Sequence, residues 1–531
     1  VVSVQGCRAE RASPSLPLRL HPSPSDSLSL SPSLPLSLSL STMPYRRRRL
    51  SSGSEEDEVR PVRRRRVSVD HGITYHHILV FLITFFSFAF VHAARKTLST
   101  VKGSLIAVWT HNATQERGPL FPDEHAAENF LALLDFGFLF AYAIGLYIGG
   151  ILGDRYNPRI VLSIGIWLSA TVVFLFGYVT ELFRLYSVPV YFLLWVSGGL
   201  FQSVAWPTEI AIVGNWFGRG SRGLILGAWS ACASVGNIIG TVVTSWVVEM
   251  GYQYAFMVNS MLLFGFGFVV FLCLSTHPRD IGLPEPVEWS TEGSDLVEER
   301  EGAEPSRPVG FWRAWKLPGV LPYSLAYACL KLVTYGFFFW LPFYLHSHFG
   351  LPESDADRLS IYYDCGGIIA AILGGALSDR MASRTPVVVG MLLISSLMLA
   401  VYSAVSGAYL VNALMLAVVG FFTAGPANMI SASVAADLGK ARQLRGSTDA
   451  LSTVTGIVDG TGSVGAAFGM LLIPLLQRWI GWAAVFYGFI VMVLCTALCL
   501  APLLYREWRE RRGYVDEEEE QRTGENSPLL A

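Results

Sequence analysis

The sequence predicts an all-α integral membrane protein with twelve transmembrane helices arranged as two six-helix repeats. Three observations lead to this fold class. Of the 531 residues, 52% are hydrophobic and only 15% are charged, and the mean hydropathy is +0.44. Twelve apolar runs are long enough to cross a bilayer, and one short motif recurs in both halves. A surface that faces only water could hardly carry this apolar excess, so lipid must supply much of the solvent.

The twelve runs are separated by charged or Gly/Pro-rich breaks. Each has about 18 or more mostly apolar residues, enough to cross about 30 Å of hydrocarbon. The predicted spans are 73–105, 129–152, 160–179, 189–213, 223–248, 253–275, 319–345, 358–378, 386–405, 408–434, 450–477 and 481–504.

The breaks also predict the domain organisation. The longest break between spans, 276–316, is rich in Glu and Pro and divides the spans six and six, which is typical of a linker between two halves. Before the first span the chain is a Ser/Pro/Leu repeat followed by two runs of four Arg, a composition that cannot pack a core. The predicted parts are a disordered region 1–72, of which 1–42 need not belong to the native protein, bundles 73–275 and 317–505, the cytosolic linker 276–316 and a cytosolic tail 506–531.

Basic residues in the short connections predict the orientation of the chain. Arg and Lys concentrate in the connections after the second, fourth, eighth and tenth spans and in both tails. By the positive-inside rule these connections and both termini face the cytosol. The connection 106–128 then lies on the opposite side, and its sequon at Asn112 is a predicted glycosylation site.

A repeated motif follows the second and the eighth spans. The pattern G-x-x-x-D-R-x-x-x-R begins at Gly150 and again at Gly375, as expected for two homologous six-helix repeats. Glycine lets two helices approach closely, while Asp and Arg can pair across the helix ends on the cytosolic side and hold one conformation closed. The predicted conformational latch comprises Asp154, Arg155, Arg159, Asp379 and Arg380. This doubled motif resembles the signature loop of the major facilitator superfamily.

Charged residues inside the spans are the candidate binding residues, because an Arg or Lys at the centre of a span costs about 2.5–3.5 kcal/mol on insertion scales. Arg95 and Lys96 interrupt the first span, and Lys331 lies deep in the seventh. If the first span ended at Ala94, Arg95 would instead only reach up to the lumenal interface. Two cations in corresponding helices would meet near the midplane, where an anionic substrate is their economical partner.

The spans also contain acids that compete for this role. Asp135, Asp364 and Asp459 could each neutralise a basic residue, and a pair between Lys331 and Asp459 or Asp364 would weaken the argument for an anionic substrate. Both alternatives are open at the level of sequence.

Several short segments together resemble the sugar phosphate exchangers, relatives of the glycerol-3-phosphate and hexose-phosphate antiporters. The resemblance covers about 75–505. It rests on the segments Arg95-Lys96-Thr97, Trp206-Pro207, Gly214-Asn-Trp-Phe-Gly218, Ser234-Val-Gly-Asn237, Lys331-Leu-Val, Phe339-Trp-Leu-Pro342, Gly425-Pro-Ala-Asn-Met-Ile430 and Asp459-Gly-Thr-Gly-Ser-Val-Gly465.

The resemblance implies an antiporter in which Arg95 and a cation of the seventh span bind the substrate phosphate, while the two halves rock about it. The planar fork of Arg suits phosphate oxygens. The predicted substrate-binding residues are Arg95, Lys96, Lys331, Tyr335 and Asp459.

Three positions depart from the bacterial pattern of the family. Thr334 stands where a second Arg is expected, although Lys331 lies one turn earlier on the same helix face. Leu146 replaces an expected Lys, and Ala233 replaces an expected binding-site His. These departures leave open an alternative function, an orphan or proton-coupled carrier of a different substrate class that uses Asp459 or Asp364 with Lys331.

The remaining features concern location and partners. Glu525 with Leu529 and Leu530 resembles an acidic dileucine sorting signal of the endosome and lysosome; the expected location is an endomembrane, lysosomal, late endosomal or of the endoplasmic reticulum. The net charge of −2 argues against a nucleic-acid partner. No nucleophile elbow, P-loop or metal-ligand spacing is present, so we expect neither an enzyme nor a cofactor or metal. The expected partners are a small anionic solute, inorganic phosphate, membrane lipid, an accessory membrane subunit and a sorting adaptor.

Overall fold

The computed structural model describes residues 73–111, 119–217, 222–284, 310–381, 383–404, 408–439 and 451–525. In this part of the chain, twelve helices are long and apolar enough to cross a membrane, as the sequence predicts. They are α1 (Tyr75–Thr100), α2 (Glu124–Arg155), α3 (Pro158–Leu182), α4 (Val188–Trp216), α5 (Leu224–Met250), α6 (Tyr252–Cys273), α7 (Val320–Phe349), α8 (Ser354–Arg380), α9 (Thr385–Tyr402), α10 (Tyr409–Gly439), α11 (Leu451–Trp479) and α12 (Trp482–Arg509).

The helix ends differ from the predicted spans where a local signal overrides the apolar pattern. The first predicted span ran to residue 105, but α1 ends at Thr100 and a separate short helix, Lys102–His111, follows. At the other end of the chain the apolar span α12 ends at Arg509, but the helix that contains it continues to Glu525. The start of α2 is fixed by Asp123, whose carboxylate accepts a hydrogen bond from Ala126 N over 2.7 Å.

Glycine residues set the closest helix contacts within each half. In the first half α5 lies against α1, where a Cβ on Gly240 would come within 2.7 Å of Ala93 O. In the second half α11 lies against α7 in the same way, with Gly465 facing the backbone of Ala328. Because α1 and α5 of one half correspond to α7 and α11 of the other, the two contacts repeat the same packing, as expected for two repeats.

The two halves meet along two further helix pairs that also correspond. Helix α2 packs on α11, where a Cβ on Gly150 would lie 2.8 Å from Ser452 O, and α5 packs on α8, where Gly227 faces the backbone of Ala371. The linker contributes a short helix, Phe311–Ala314, whose Ala314 packs with Val454 of α11. These contacts leave the polar residues of α1, α5, α7, α8 and α11 around a common centre.

Candidate functional site

A cavity of about 90 Å³ lies between the two halves. Its polar lining comes from seven helices, α1, α2, α5, α7, α8, α10 and α11, and consists of His92, Lys96, Tyr142, Ser234, Asn237, Tyr327, Lys331, Thr334, Tyr335, Ser360, Tyr363, Asp364, Asn428, Ser431 and Asp459. Aromatic residues, among them Phe88, Trp206 and Phe338, complete the wall.

Arg95 lies beside this cavity, completely buried in α1. Its Nε donates to Gln202 Oε1 over 3.0 Å and its Nη1 donates to the Tyr335 hydroxyl over 2.8 Å. The guanidinium stacks over the ring of Tyr142, 4.5 Å from the centroid. The remaining nitrogen, Nη2, is buried and has no hydrogen-bond partner among the described residues. The alternative in which Arg95 merely reaches the lumenal interface is therefore wrong, since α1 continues past it to Thr100.

The environment of Arg95 is suited to an anion. Among the described residues, no carboxylate oxygen lies within 4.0 Å of a nitrogen of Arg95. A guanidinium is always charged, and burying a charge without a counter-charge costs several kcal/mol. A bound oxyanion would supply that counter-charge and would accept from Nη2, whose donor is otherwise unused.

Lys331, unlike Arg95, has a counter-charge, so the site does not contain two uncompensated cations. Its Nζ lies 2.9 Å from Asp459 Oδ1 and donates to Ser463 Oγ over 2.8 Å. The ring of Tyr335 lies 5.1 Å from the same nitrogen. A buried acid thus neutralises Lys331, which is the alternative that the sequence left open. Lys331 therefore supports an anionic substrate less strongly than Arg95 does.

Lys96 faces the cavity from α1 without a carboxylate at ion-pair distance among the described residues. Its Nζ donates to Phe338 O over 2.7 Å and to Ser99 Oγ over 3.4 Å. Ser99 also donates to Phe338 O, over 2.9 Å. These contacts join α1 to α7, so the two halves touch on this side of the cavity.

The sequence did not predict a hydrogen-bonded chain of three residues that line the cavity. His92 Nδ1 lies 3.0 Å from Asn237 Oδ1, and Asn237 Nδ2 donates to Asp364 Oδ1 over 2.8 Å. The chain runs from α1 through α5 to α8. A signal was available for its first member, since His92 lies three residues before Arg95 and hence on the same helix face.

A buried ion pair between Lys102 and Asp135 was also not predicted as a pair. The distance from Lys102 Nζ to Asp135 Oδ2 is 2.6 Å, and both side chains are buried. Lys102 Nζ also lies 4.1 Å from the centroid of Trp340 in α7. The pair therefore connects the short helix Lys102–His111, α2 and the second half.

The three departures from the family pattern have different surroundings. Thr334 lines the cavity. Ala233 lines the cavity, so its small side chain leaves space there. Leu146 is buried where its carbonyl oxygen faces Gly456 of α11, and it is not among the cavity-lining residues.

The aspartates of the repeated motif contact the opposite half. Asp154, at the end of α2, accepts hydrogen bonds from the backbone N–H groups of Ser452 and Thr453, over 3.1 and 2.8 Å. Asp379, at the end of α8, accepts from Leu224 N over 2.6 Å. Each carboxylate thus caps the first turn of a helix in the other half, α11 or α5, where anions are favoured.

The arginines at equivalent positions of the two motif copies make different contacts. Arg384, rather than Arg380, lies 3.4 Å from Asp379, and its Nε is 2.6 Å from Asp437. Arg155 and Arg380 are exposed, and Arg159 Nε has no hydrogen-bond partner in the described part of the chain. The closing contacts are therefore carboxylate to helix N-terminus, and the latch itself stays a prediction.

The other predicted sites lie at the margins of the described structure. Asn112, Leu529 and Leu530 are outside the described residues, and Glu525 is the last residue of the final helix. Their roles stay predictions.

The comparisons with known proteins agree with this architecture. Residues 78–448 match the family model described as Major Facilitator Superfamily. A protein of Gallus gallus named sugar phosphate exchanger 3 is 48% identical over 469 residues, covering 82% of this chain and 93% of that protein. The Homo sapiens protein of the same name is 46% identical, covering 82% and 94%. The chain belongs to the sugar phosphate exchangers of the major facilitator superfamily.

More distant relatives extend the same pattern. The glucose-6-phosphate exchanger SLC37A1 of Mus musculus is 33% identical, covering 82% of this chain and 93% of that protein. A solved structure of the proton:xylose symporter XylE, bound to 6-bromo-6-deoxy-D-glucose, superposes with a TM-score of 0.60 at 12% identity and covers 80% of this chain and 95% of its own. The family resemblance and the twelve-helix fold are thereby confirmed, and the chain is a multi-pass membrane transporter rather than an enzyme.

Proposed function

We propose that this protein exchanges a phosphorylated or strongly anionic small organic solute for inorganic phosphate across an internal membrane. The observation that carries the proposal is the buried Arg95, whose Nη2 has no hydrogen-bond partner among the described residues. Phosphate oxygens are the acceptors that such a guanidinium fork recognises best. The printed names of the relatives, which include sugar phosphate exchangers, support the same class of substrate.

The residues around Arg95 would divide the work. Gln202 fixes Nε and Tyr335 fixes Nη1, so the guanidinium is already oriented before a phosphate arrives, which reduces the entropy lost on binding. Tyr335 also lies next to Lys331, and its hydroxyl can donate to a phosphate oxygen. Lys96 adds a second positive charge on the cavity wall.

The size of the cavity implies that the halves must separate to admit the substrate. Pockets for small organic ligands typically enclose about 300–1,000 Å³, whereas this cavity has about 90 Å³. Contacts between the halves lie on either side of it, the caps at Asp154 and Asp379 at one end and the Lys96–Phe338 contact on the other. Breaking one set while keeping the other would expose the site to one side at a time, which is alternating access.

Exchange rather than uniport follows from the charge on Arg95. Reorienting the empty carrier would move an uncompensated buried cation through the occluded state, which costs several kcal/mol. A bound anion removes that cost in each direction. We therefore infer that each passage of the solute is matched by a returning phosphate.

One specific observation favours a second candidate function. The Lys331–Asp459 pair neutralises a cation that a phosphate antiporter could have used, and buried acid–base pairs mark proton relays in other carriers. A proton-coupled carrier of another solute class is therefore the alternative. It predicts uptake driven by a proton gradient with no phosphate on the opposite side.

The deciding experiment uses the full chain in proteoliposomes. Vesicles loaded with phosphate should take up labelled phosphate, and external organophosphates should compete. Arg95→Gln should abolish this exchange, and Arg95→Lys, which keeps the charge but loses the fork, should restore part of it. Uptake that needs a proton gradient and ignores internal phosphate would instead establish the alternative.

We also propose the topology and location. Both termini would face the cytosol, Asn112 would carry a glycan on the lumenal side, and Glu525, Leu529 and Leu530 would direct the protein to late endosomes and lysosomes through a sorting adaptor. Replacing Leu529 and Leu530 by Ala should then shift the protein to the cell surface. Residence in the endoplasmic reticulum would leave its distribution unchanged.

A further inference from the structure

The cavity contains one acid that the proposed exchange does not use. Asp364 of α8 lines the cavity and accepts a hydrogen bond from Asn237 Nδ2 over 2.8 Å. Asn237 Oδ1 in turn lies 3.0 Å from His92 Nδ1. Since an amide oxygen only accepts, His92 donates through Nδ1, which leaves Nε2 as an acceptor in the neutral ring. The three residues therefore form a continuous hydrogen-bonded chain that ends at the Asp364 carboxylate.

Asp364 differs from the other cavity-lining acid in its partners. Asp459 has an ammonium group 2.9 Å away, whereas the ion pairs between described residues do not include Asp364. Lys96 lines the same cavity as Asp364, but its ammonium is hydrogen-bonded to Phe338 O. A buried carboxylate without a close cation takes up a proton more readily than one held in an ion pair.

The net charge of the substrate site also favours the uptake of one proton. The charged side chains that line the cavity, together with Arg95 beside it, are three cations, Arg95, Lys96 and Lys331, and two acids, Asp364 and Asp459. The site is therefore singly positive when both acids are ionised. A phosphomonoester or phosphate dianion carries about −2 charges, so its binding would leave one uncompensated negative charge in a buried place.

We propose that Asp364, hydrogen-bonded through Asn237 to His92, is a proton-binding site that takes up one proton with each phosphate dianion. The proton comes from the solution on the side to which the site is open, converts the carboxylate into a carboxylic acid, and returns to solution when the dianion leaves. The loaded site is then electrically neutral and can reorient. The inference rests on the proposed phosphate exchange and specifies which ions accompany it.

Several other titratable or polar groups line the cavity with Asp364 or lie beside it. Helix α1 contributes His92 and Lys96, α2 contributes Tyr142, and α5 and α10 contribute the neutral Ser234, Asn237 and Asn428. Helix α7 contributes Tyr327, Tyr335 and the ion-paired Lys331, α11 contributes Asp459, and α8 itself contributes Tyr363 and, one turn beyond the cavity, the buried Asp357. Among Asp357, Asp364 and Asp459, Asp364 is the acid that lines the cavity and has no ion pair with a described residue.

The first arm of the test measures the pH dependence of labelled phosphate exchange by the full chain in proteoliposomes. With equal pH on both sides, wild-type exchange of phosphate dianion should fall by about tenfold per pH unit above the titration of the site, the slope for one proton. Asp364→Asn should flatten this slope. Glu209→Gln is the matched control, because Glu209 is also buried, has no hydrogen-bond partner among the described residues and does not line the cavity. It should keep the wild-type slope.

The second arm measures proton uptake when inorganic phosphate binds to the purified protein in weakly buffered solution at alkaline pH, where phosphate is a dianion. Wild type should take up one proton per phosphate bound, and Asp364→Asn should take up none. This arm does not need transport, so proton uptake can also be measured for a variant that binds phosphate but no longer moves it across the membrane.

The outcomes separate the two proposals. Absence of phosphate binding and exchange by wild type would overturn the phosphate exchanger itself. Phosphate exchange by wild type with an unchanged slope and unchanged proton uptake in Asp364→Asn would overturn only the proton site, since the proton would then travel on the phosphate. If purified Asp364→Asn is unfolded, Asn237→Leu takes its place: it removes the N–H that bonds the ionised carboxylate, so the fall in exchange should begin at a higher pH than in wild type, and an unchanged onset would overturn the proton site.

Discussion

Arg95 of α1 donates a hydrogen bond to the hydroxyl of Tyr335 in α7 over 2.8 Å, so the uncompensated guanidinium of one half is held in place by the other half. The same tyrosine ring lies 5.1 Å from Lys331 Nζ. The predicted phosphate site is therefore divided between the two repeats. A ligand bound to both sides of it would sense, and could stabilise, their closed arrangement.

The first prediction concerns this shared hydroxyl. Tyr335→Phe keeps the ring but removes the acceptor of Arg95 Nη1, and a lost hydrogen bond to a charged group costs about 1.5–3 kcal/mol. We expect the KM for phosphate to rise by about tenfold or more, since 1.4 kcal/mol corresponds to a factor of ten. An unchanged KM in the exchange assay would show that Tyr335 does not orient the guanidinium.

The second prediction concerns the ion pair between Lys331 and Asp459. Removing one partner of a buried pair leaves an uncompensated charge and costs about 3–5 kcal/mol, whereas replacing both by apolar residues of similar volume is often neutral. Lys331→Met and Asp459→Leu should each lower the unfolding temperature of the purified protein, and the double variant should recover most of the loss. Additive losses in the double variant would argue against a coupled pair.

The third prediction compares two buried acids with different partners. Asp135 is bonded to Lys102 over 2.6 Å, while Glu209 is buried with no hydrogen-bond partner for either oxygen among the described residues. An ionised carboxylate would be very costly at position 209, so we expect Glu209 to be neutral. Asp135→Asn should therefore destabilise by about 3 kcal/mol or more, and Glu209→Gln should change the unfolding temperature little. Equal losses would contradict the difference in charge.

The fourth prediction concerns the caps between the halves. Asp154→Ala removes the acceptor for two N–H groups of α11, which costs about 0.5–2 kcal/mol at a helix N-terminus. The protein should then spend more time open at this end, and a cysteine introduced at Ser452 should react faster with a maleimide. Asp123→Ala is the matched control, because Asp123 caps its own helix. An equal effect of both substitutions would point to general loosening instead.

The fold could be predicted because the length and hydrophobicity of a membrane span depend only on residues that are neighbours in the chain. The twelve apolar runs and the doubled glycine-aspartate motif depend only on neighbouring residues, and the twelve helices match them in number. The end of α1 at Thr100 was missed, since the apolar pattern resumes directly in Lys102–His111 and gives no break signal.

The site was predicted less completely, for a physical reason. Arg95 and Lys331 stood out because a charge inside a span is costly wherever it lies. Their partners depend on which helices are adjacent, and Gln202 and Tyr142 are ordinary polar residues in a span sequence. The pairing of Lys331 with Asp459 joins residues 128 positions apart, and no local pattern specifies it.

The central claim is that a phosphate oxyanion binds at Arg95. The most direct measurement is equilibrium binding of inorganic phosphate to the purified full chain, compared with Arg95→Gln and with the charge-neutral Lys331→Met/Asp459→Leu double variant. We expect wild type to bind, the double variant to bind more weakly, and Arg95→Gln to show no binding while its unfolding temperature shows that it is folded. Phosphate binding retained in Arg95→Gln and lost in the double variant would contradict the claim and move the site to Lys331.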